Sequence, residues 1–123
     1  MKIDLLVIIS ILITHYVADF ILQSHWMASN KSKDNWALSA HVITYTVALS
    51  FSGFILFEAN HLLGLIWAAV NGVIHFITDY FTSRASAKRF AVKDYHNFFV
   101  YVGADQLSHY IALLTTYVYF SSL

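Results

Sequence analysis

His15 and Asp19, His75 and Asp79, and Asp105 and His109 form three pairs whose members stand four residues apart, and a lone His41 lies between the first pair and the second. Four residues is about one helical turn, so on helices each pair presents an imidazole and a carboxylate on one face. The chain has no cysteine, and imidazole with carboxylate is a donor set for a divalent metal: zinc first, then manganese, iron or nickel. The candidate ligands His15, Asp19, His41, His75, Asp79, Asp105 and His109 outnumber the roughly four that a tetrahedral zinc requires. One ion with a rich surround of polar partners, or two ions, fits this set. Gln23 follows Asp19 by one turn, Asn71 and Tyr101 precede His75 and Asp105 by one turn, and Gln106 adjoins Asp105. These four are the candidates for orienting the ligands.

With a coordination position open, the simplest chemistry is hydrolysis by a metal-activated water, and Asp105 or Asp19 is the candidate general base. Two other readings use the same residues: a buried hydrogen-bonded network that joins helices, and a proton or cation path. Three neighbouring carboxylates repel one another unless protons, cations or a metal neutralise them, and this weighs toward the metal.

The elements that must carry these residues are apolar. Hydrophobic residues make up 59% of the 123 and charged residues 11%, against about 25% charged in an ordinary soluble domain. Four apolar stretches, at residues 3–23, 36–57, 62–81 and 98–120, are each close to the ~20 residues that cross a bilayer. No proline interrupts them, so each helix can satisfy its own backbone. The expected fold is all-α: an integral membrane, four-transmembrane-helix up-down bundle, a single domain over residues 1–123. The apolar N-terminus runs past signal-peptide length without a small-residue cleavage site and is read as a retained first helix.

Lys31, Lys33, Arg84, Lys88, Arg89 and Lys93 all follow the first or third stretch, and Lys2 alone lies opposite. The positive-inside bias therefore puts those two connections in the cytoplasm and both termini outside, in a multi-pass protein of the inner membrane. Stretches one and three read His then Asp, whereas the fourth, running the other way, reads Asp then His. Reversed direction and reversed order cancel. Asp19, Asp79 and Asp105 are thus expected on the cytoplasmic side, with His15, His75 and His109 about 5 Å deeper and His41 near the carboxylates.

The motifs His15-Tyr16-Val17-Ala18-Asp19-Phe20-Ile21-Leu22-Gln23, His41, His75-Phe76-Ile77-Thr78-Asp79 and Asp105-Gln106-Leu107-Ser108-His109 resemble domain-of-unknown-function family 3307, small prokaryotic and phage-associated membrane proteins. The resemblance spans nearly the whole chain and implies a membrane protein with this polar site but no particular reaction. A looser likeness, to integral-membrane metal-dependent hydrolases, rests on His and Asp in helices and transfers no residue roles.

The functional expectation is a membrane-embedded metal-binding protein, a hydrolase for a lipid-linked or amphiphilic anionic substrate at the cytoplasmic side. The alternatives are a proton or cation transport component and a non-catalytic interaction protein with a structural polar core. The expected partners are the bilayer, an anionic lipid or amphiphile, and a second copy of the chain. Formal charge is balanced, seven basic against seven acidic residues, which argues against nucleic acid. Trp67, inside the third stretch, reads as packing. His61, in the outer turn, and His25 and His96, at the cytoplasmic interface, read as solvated, with His25 and His96 flanking the mouth of the site. The segment from Arg84 to Lys93 reads as a topology anchor or a short interfacial helix.

Overall fold

The computed structural model describes residues 2–123, and among these residues it is all helix. The helices are α1 (Leu5–Tyr16), which continues through a π-turn (Val17–Ile21), α2 (His25–Asn30), α3 (Asn35–Leu56), α4 (His61–Ala91) and α5 (Tyr95–Ser121). Each begins where a short polar side chain can accept from the otherwise unpaired amides of a first turn. Asp4 accepts from the Leu6 amide, Ser24 from Met27, Asp34 from Trp36, Asn60 from Leu63 and Asp94 from Asn97. At Asp94 the side chain and backbone amide of Asn97 hold the carboxyl below the usual carboxylate range.

Two departures from the expected boundaries bear on the site. The first helical stretch ends at Ile21, and a short helix, α2, follows it because Ser24 starts a new turn. The third runs on past residue 81 to Ala91, so Arg84, Lys88 and Arg89 ride on α4 itself rather than on a separate interfacial helix. Between Thr82 and Ala91 there is no glycine or proline to stop it. Arg84 ties this extension down: its guanidinium donates to the Asn35 side chain at 2.7 Å and lies 3.8 Å over the Tyr80 ring.

Around the ring of packed helices the order is α1, α3, α4, α5 and back to α1. Contacts between α3 and α4 run in opposite order along the two chains: Gly53 meets Gly64, Thr46 meets Gly72, His41 meets His75 and Asn35 meets Arg84. The pair is therefore antiparallel, as the short turn from Phe57 to Asn60 requires. A Cβ on either Gly53 or Gly64 would strike the other's carbonyl, so glycine at both positions is what lets these backbones touch.

Toward that glycine contact, away from the lysines, the interior is dry. Ile11, Leu49, Phe57, Trp67, Ala68 and Leu113 belong to one buried cluster, and the Trp67 indole donates to the Leu113 carbonyl at 3.3 Å. Trp67 is packing, as its position in the third stretch suggests. Toward the basic end the interior turns polar while the exterior stays apolar. His15, Asp19, His41, Asn71, His75, Asp79 and His109 are all buried, whereas Leu5, Leu6, Phe51, Ile55, Leu62, Val73, Phe81, Phe99 and Ile111 are exposed. Helices α3 and α4 are long and apolar enough to cross a membrane, and α1 with its π-turn forms a shorter apolar stretch.

Candidate metal centre

Helix α1 delivers His15 in its last turn, and the π-turn that follows delivers Asp19. The Leu22 amide reaches back to the Val17 carbonyl at 2.9 Å, five residues away, which widens the turn around Asp19. Such single π-turns recur where a helix must re-aim a functional side chain. The other ligand candidates come from regular helix: His41 from α3, His75 and Asp79 from α4, Asp105 and His109 from α5.

All seven meet. His41 Nε2 lies 3.0 Å from His75 Nε2 and 3.0 Å from Asp19 Oδ1. His75 Nε2 lies 3.3 Å from the same Asp19 oxygen. Asp79 Oδ2 stands 3.4 Å from the first nitrogen and 3.5 Å from the second. Zinc ligands at 2.0–2.1 Å in a tetrahedron are separated from one another by about 3.3 Å. The donor atoms of Asp19, His41, His75 and Asp79 have that spacing, and the four residues could hold a metal ion. Asp19 Oδ1 is buried and hydrogen-bonds to neither ring despite its closeness to both. Packing orients the rings: His75 is stacked between Tyr45, at 3.9 Å, and His109, at 4.1 Å.

A second group, Asp19, Asp105 and His109, shares Asp19 with the first. His109 Nε2 lies 3.0 Å from Asp79 Oδ1 and 3.3 Å from Asp105 Oδ2, and Thr82 donates to Asp105 Oδ1.

His15 has a different place from the one expected of a ligand. The Gln106 amide turns its NH2 to the carboxyl oxygens of Asp19 and Asp105, at 3.1 and 3.0 Å, and leaves its oxygen for His15. His15 Nε2 therefore donates to Gln106 Oε1 at 2.8 Å, and Nδ1 is left to accept from the Tyr45 hydroxyl at 3.1 Å. With both ring nitrogens engaged, His15 braces Gln106 and hence the two carboxylates. Gln106, a candidate for orienting ligands, contacts two of the candidate ligands, Asp19 and Asp105. Asn71 does not: its amide donates to Trp67 and Thr116, one turn into the dry half.

Lys31, read as a topology charge, reaches into the cluster instead. It follows α2, and its ammonium donates to Asp79 Oδ2 at 3.0 Å while remaining 20% exposed. Burial alone would lower its pKa, but Asp79, Asp19 and Asp105 outweigh that and hold it above the ordinary lysine value. Tyr45 and Thr82 were also outside the expected set. Both carry a helical-spacing signal, Tyr45 one turn after His41 and Thr82 three residues after Asp79.

A cavity of about 610 Å³ opens beside the carboxylates. Asp19, Asp79, Asp105 and Gln106 line it, with Gln23, Tyr101, Lys31 and Lys33 and with apolar walls from Phe20, Phe90 and Phe98. His25, whose ring is 3.4 Å from Ser29 Oγ, and His96 are exposed and are not among its lining. Exposed His61, at the start of α4, stacks on Phe54 and reaches its carbonyl at 2.9 Å.

No curated protein and no solved structure matches the chain. A family model does, over residues 7–123, and the chain belongs to that family, described as a protein of unknown function (DUF3307).

Proposed function

We propose that this is a membrane-embedded metal-binding protein in which α1 with its π-turn, α3, α4 and α5 all cross the bilayer, with the basic end in the cytoplasm and both termini outside. Support for the bilayer comes from the inverted distribution of residues, buried Asp and His inside and large apolar side chains outside, since ionisable groups in spans face a bundle interior. Six of the seven basic residues stand at the end bearing the site.

The observation that carries the metal reading is the convergence of Asp19 Oδ1, His41 Nε2, His75 Nε2 and Asp79 Oδ2 at the separations of a coordination shell. Zinc suits such a mixed oxygen and imidazole set. A divalent ion held there would supply Lewis acidity, and it would activate water if its shell expanded to a fifth ligand or one of the four donors withdrew. Asp105 is the base best placed to take a proton, being 14% exposed and on the cavity wall, whereas Asp19 is committed to the cluster. Thr82 and Gln106 fix the Asp105 carboxylate. The reaction this favours is hydrolysis of an amphiphilic anion that presents its head to the cavity from the cytoplasmic side.

A second reading, a structural polar core, draws on Lys31, which already neutralises part of the carboxylate charge. Metal analysis separates the two. Protein purified in detergent without chelator and supplemented with zinc should carry close to one tightly held ion per chain, and chelator should lower its melting temperature. Metal-free protein whose melting is indifferent to both zinc and chelator would sink the metal centre and the hydrolase with it.

A further inference from the structure

Asp79 Oδ2 has two claims on it. It is one of the four converging donor atoms, and it is also the oxygen that Lys31 Nζ holds at 3.0 Å. A divalent ion on that oxygen would stand within a few ångström of the ammonium, and the two cations repel. Lys31 can yield, because its unbranched stem hangs from the turn after α2 and already borders the cavity.

We propose that Lys31 is the site's resident cation, which holds Asp79 until a divalent metal takes its oxygen and which, once displaced, grips the phosphate head of an amphiphile in the adjoining cavity. The proposal rests on the metal reading above. Charge sets the order of binding. The cavity is lined by three carboxylates, Asp19, Asp79 and Asp105, against two ammonium groups, Lys31 and Lys33, so a divalent ion adds the positive charge that favours an anion there. The apolar share of the ligand is matched by Phe20, Phe90 and Phe98. Ser83 Oγ, buried in the cavity wall without a hydrogen-bond partner, is a donor suited to a phosphate oxygen.

The test uses the full chain in detergent, expressed with zinc and then stripped, as wild type, Lys31→Met, Lys31→Gln and Lys33→Met. Lys31→Gln keeps a hydrogen bond to Asp79 in case the methionine variant does not fold. Zinc affinity is measured first, with zinc alone. Loss of the competing ammonium should tighten zinc binding at least tenfold in either Lys31 variant. Lys33→Met removes the same charge without a contact to Asp79 and should change affinity less than threefold.

Binding of a short-chain phosphatidate is measured next, with phosphatidylcholine of the same chains and inorganic phosphate beside it. Phosphatidate should bind wild type only when zinc is present and at least tenfold more weakly when Lys31 is replaced. Zinc binding no tighter in the Lys31 variants, equal tightening in Lys33→Met, or phosphatidate binding indifferent to zinc or to Lys31 overturns the inference. Inorganic phosphate or phosphatidylcholine binding as tightly as phosphatidate also overturns it, by removing the phosphate-bearing amphiphile. Failure of every protein to take zinc overturns the metal centre as well, whereas zinc binding that ignores Lys31 leaves that centre standing.

Discussion

At the far end of the bundle Gly53 and Gly64 bring α3 and α4 into backbone contact, and Trp67, Leu49, Phe57 and Leu113 fill what space is left. At the basic end the same two helices carry His41 and His75, with ring nitrogens 3.0 Å apart, and α5 stands off from α2 across a 610 Å³ cavity. The halves are stabilised by different physics. Dispersion in close packing acts on the first wherever the chain is folded. The second assembles carboxylates and imidazoles that are costly to bury together and that a bound cation can compensate. Substitutions in the two halves should therefore differ in kind as well as in size.

The largest loss is expected from Trp67→Ala, because the indole is fully buried and its N–H is satisfied by the Leu113 carbonyl. Truncation of a buried tryptophan costs about 3–5 kcal/mol. In detergent, reversible unfolding should show that loss equally with zinc and with chelator. The folded fraction should keep its full complement of metal. A loss that depended on chelator would show that the dry half is coupled to the site and break the division.

His75→Ala tests the other half. At zinc a hundredfold above its dissociation constant, a ligand that binds only the folded chain stabilises it by about 2.7 kcal/mol. Wild type should gain that increment over its chelated form, and His75→Ala should gain none, since its Nε2 is one of the four converging atoms. Packing lost with the ring, which stacks on Tyr45 and His109, should appear identically in both conditions. An undiminished zinc increment in the variant would remove His75 from the coordination set.

The dry half and the polar half were unequally legible. Pairs spaced by one turn identify His75 with Asp79 and Asp105 with His109, because helical period alone puts their side chains on one face. The glycine contact leaves no comparable mark, since it depends on which two helices touch. The π-turn at Asp19 is invisible for a related reason: a single five-residue hydrogen bond carries no residue signature, and Val17–Ile21 reads as ordinary apolar helix. Lys31 was misplaced because it is 48 residues from Asp79 and stands among charges that a positive-inside count absorbs. His15 looked like a ligand by type and spacing. Only the partners of its nitrogens, Tyr45 thirty residues on and Gln106 ninety-one on, assign it to bracing. The helix starts carry a signal that the apolar stretches alone do not use: Ser24, Asp34, Asn60 and Asp94 each cap a helix, and Ser24 marks the short α2 that hydropathy passes over.

The smallest effect is expected at the turns, and it sharpens the contrast between the two ends. α3 and α4 are joined at the far end from Phe57 to Asn60, without any positive φ, whereas α4 and α5 are joined at the basic end through Lys93 at φ 59°. That is the left-handed region, which a residue with a Cβ enters at a cost of roughly 1 kcal/mol and glycine enters freely. Lys93 is exposed, and its amide bonds to the Phe90 carbonyl at 3.0 Å, so the turn itself is ordinary. Lys93→Gly should relieve the backbone while making the unfolded chain more flexible, for a net gain of a few tenths of a kcal/mol up to about 1. Lys93→Ala removes the same charge and keeps the Cβ, so it should leave stability unchanged. Melting curves of the two variants beside wild type, with and without zinc, read the difference directly. If alanine stabilises as much as glycine, the turn's cost is charge repulsion among Lys88, Arg89 and Lys93 rather than backbone geometry. If glycine gains and alanine does not, the strain belongs to the connection that closes the polar half.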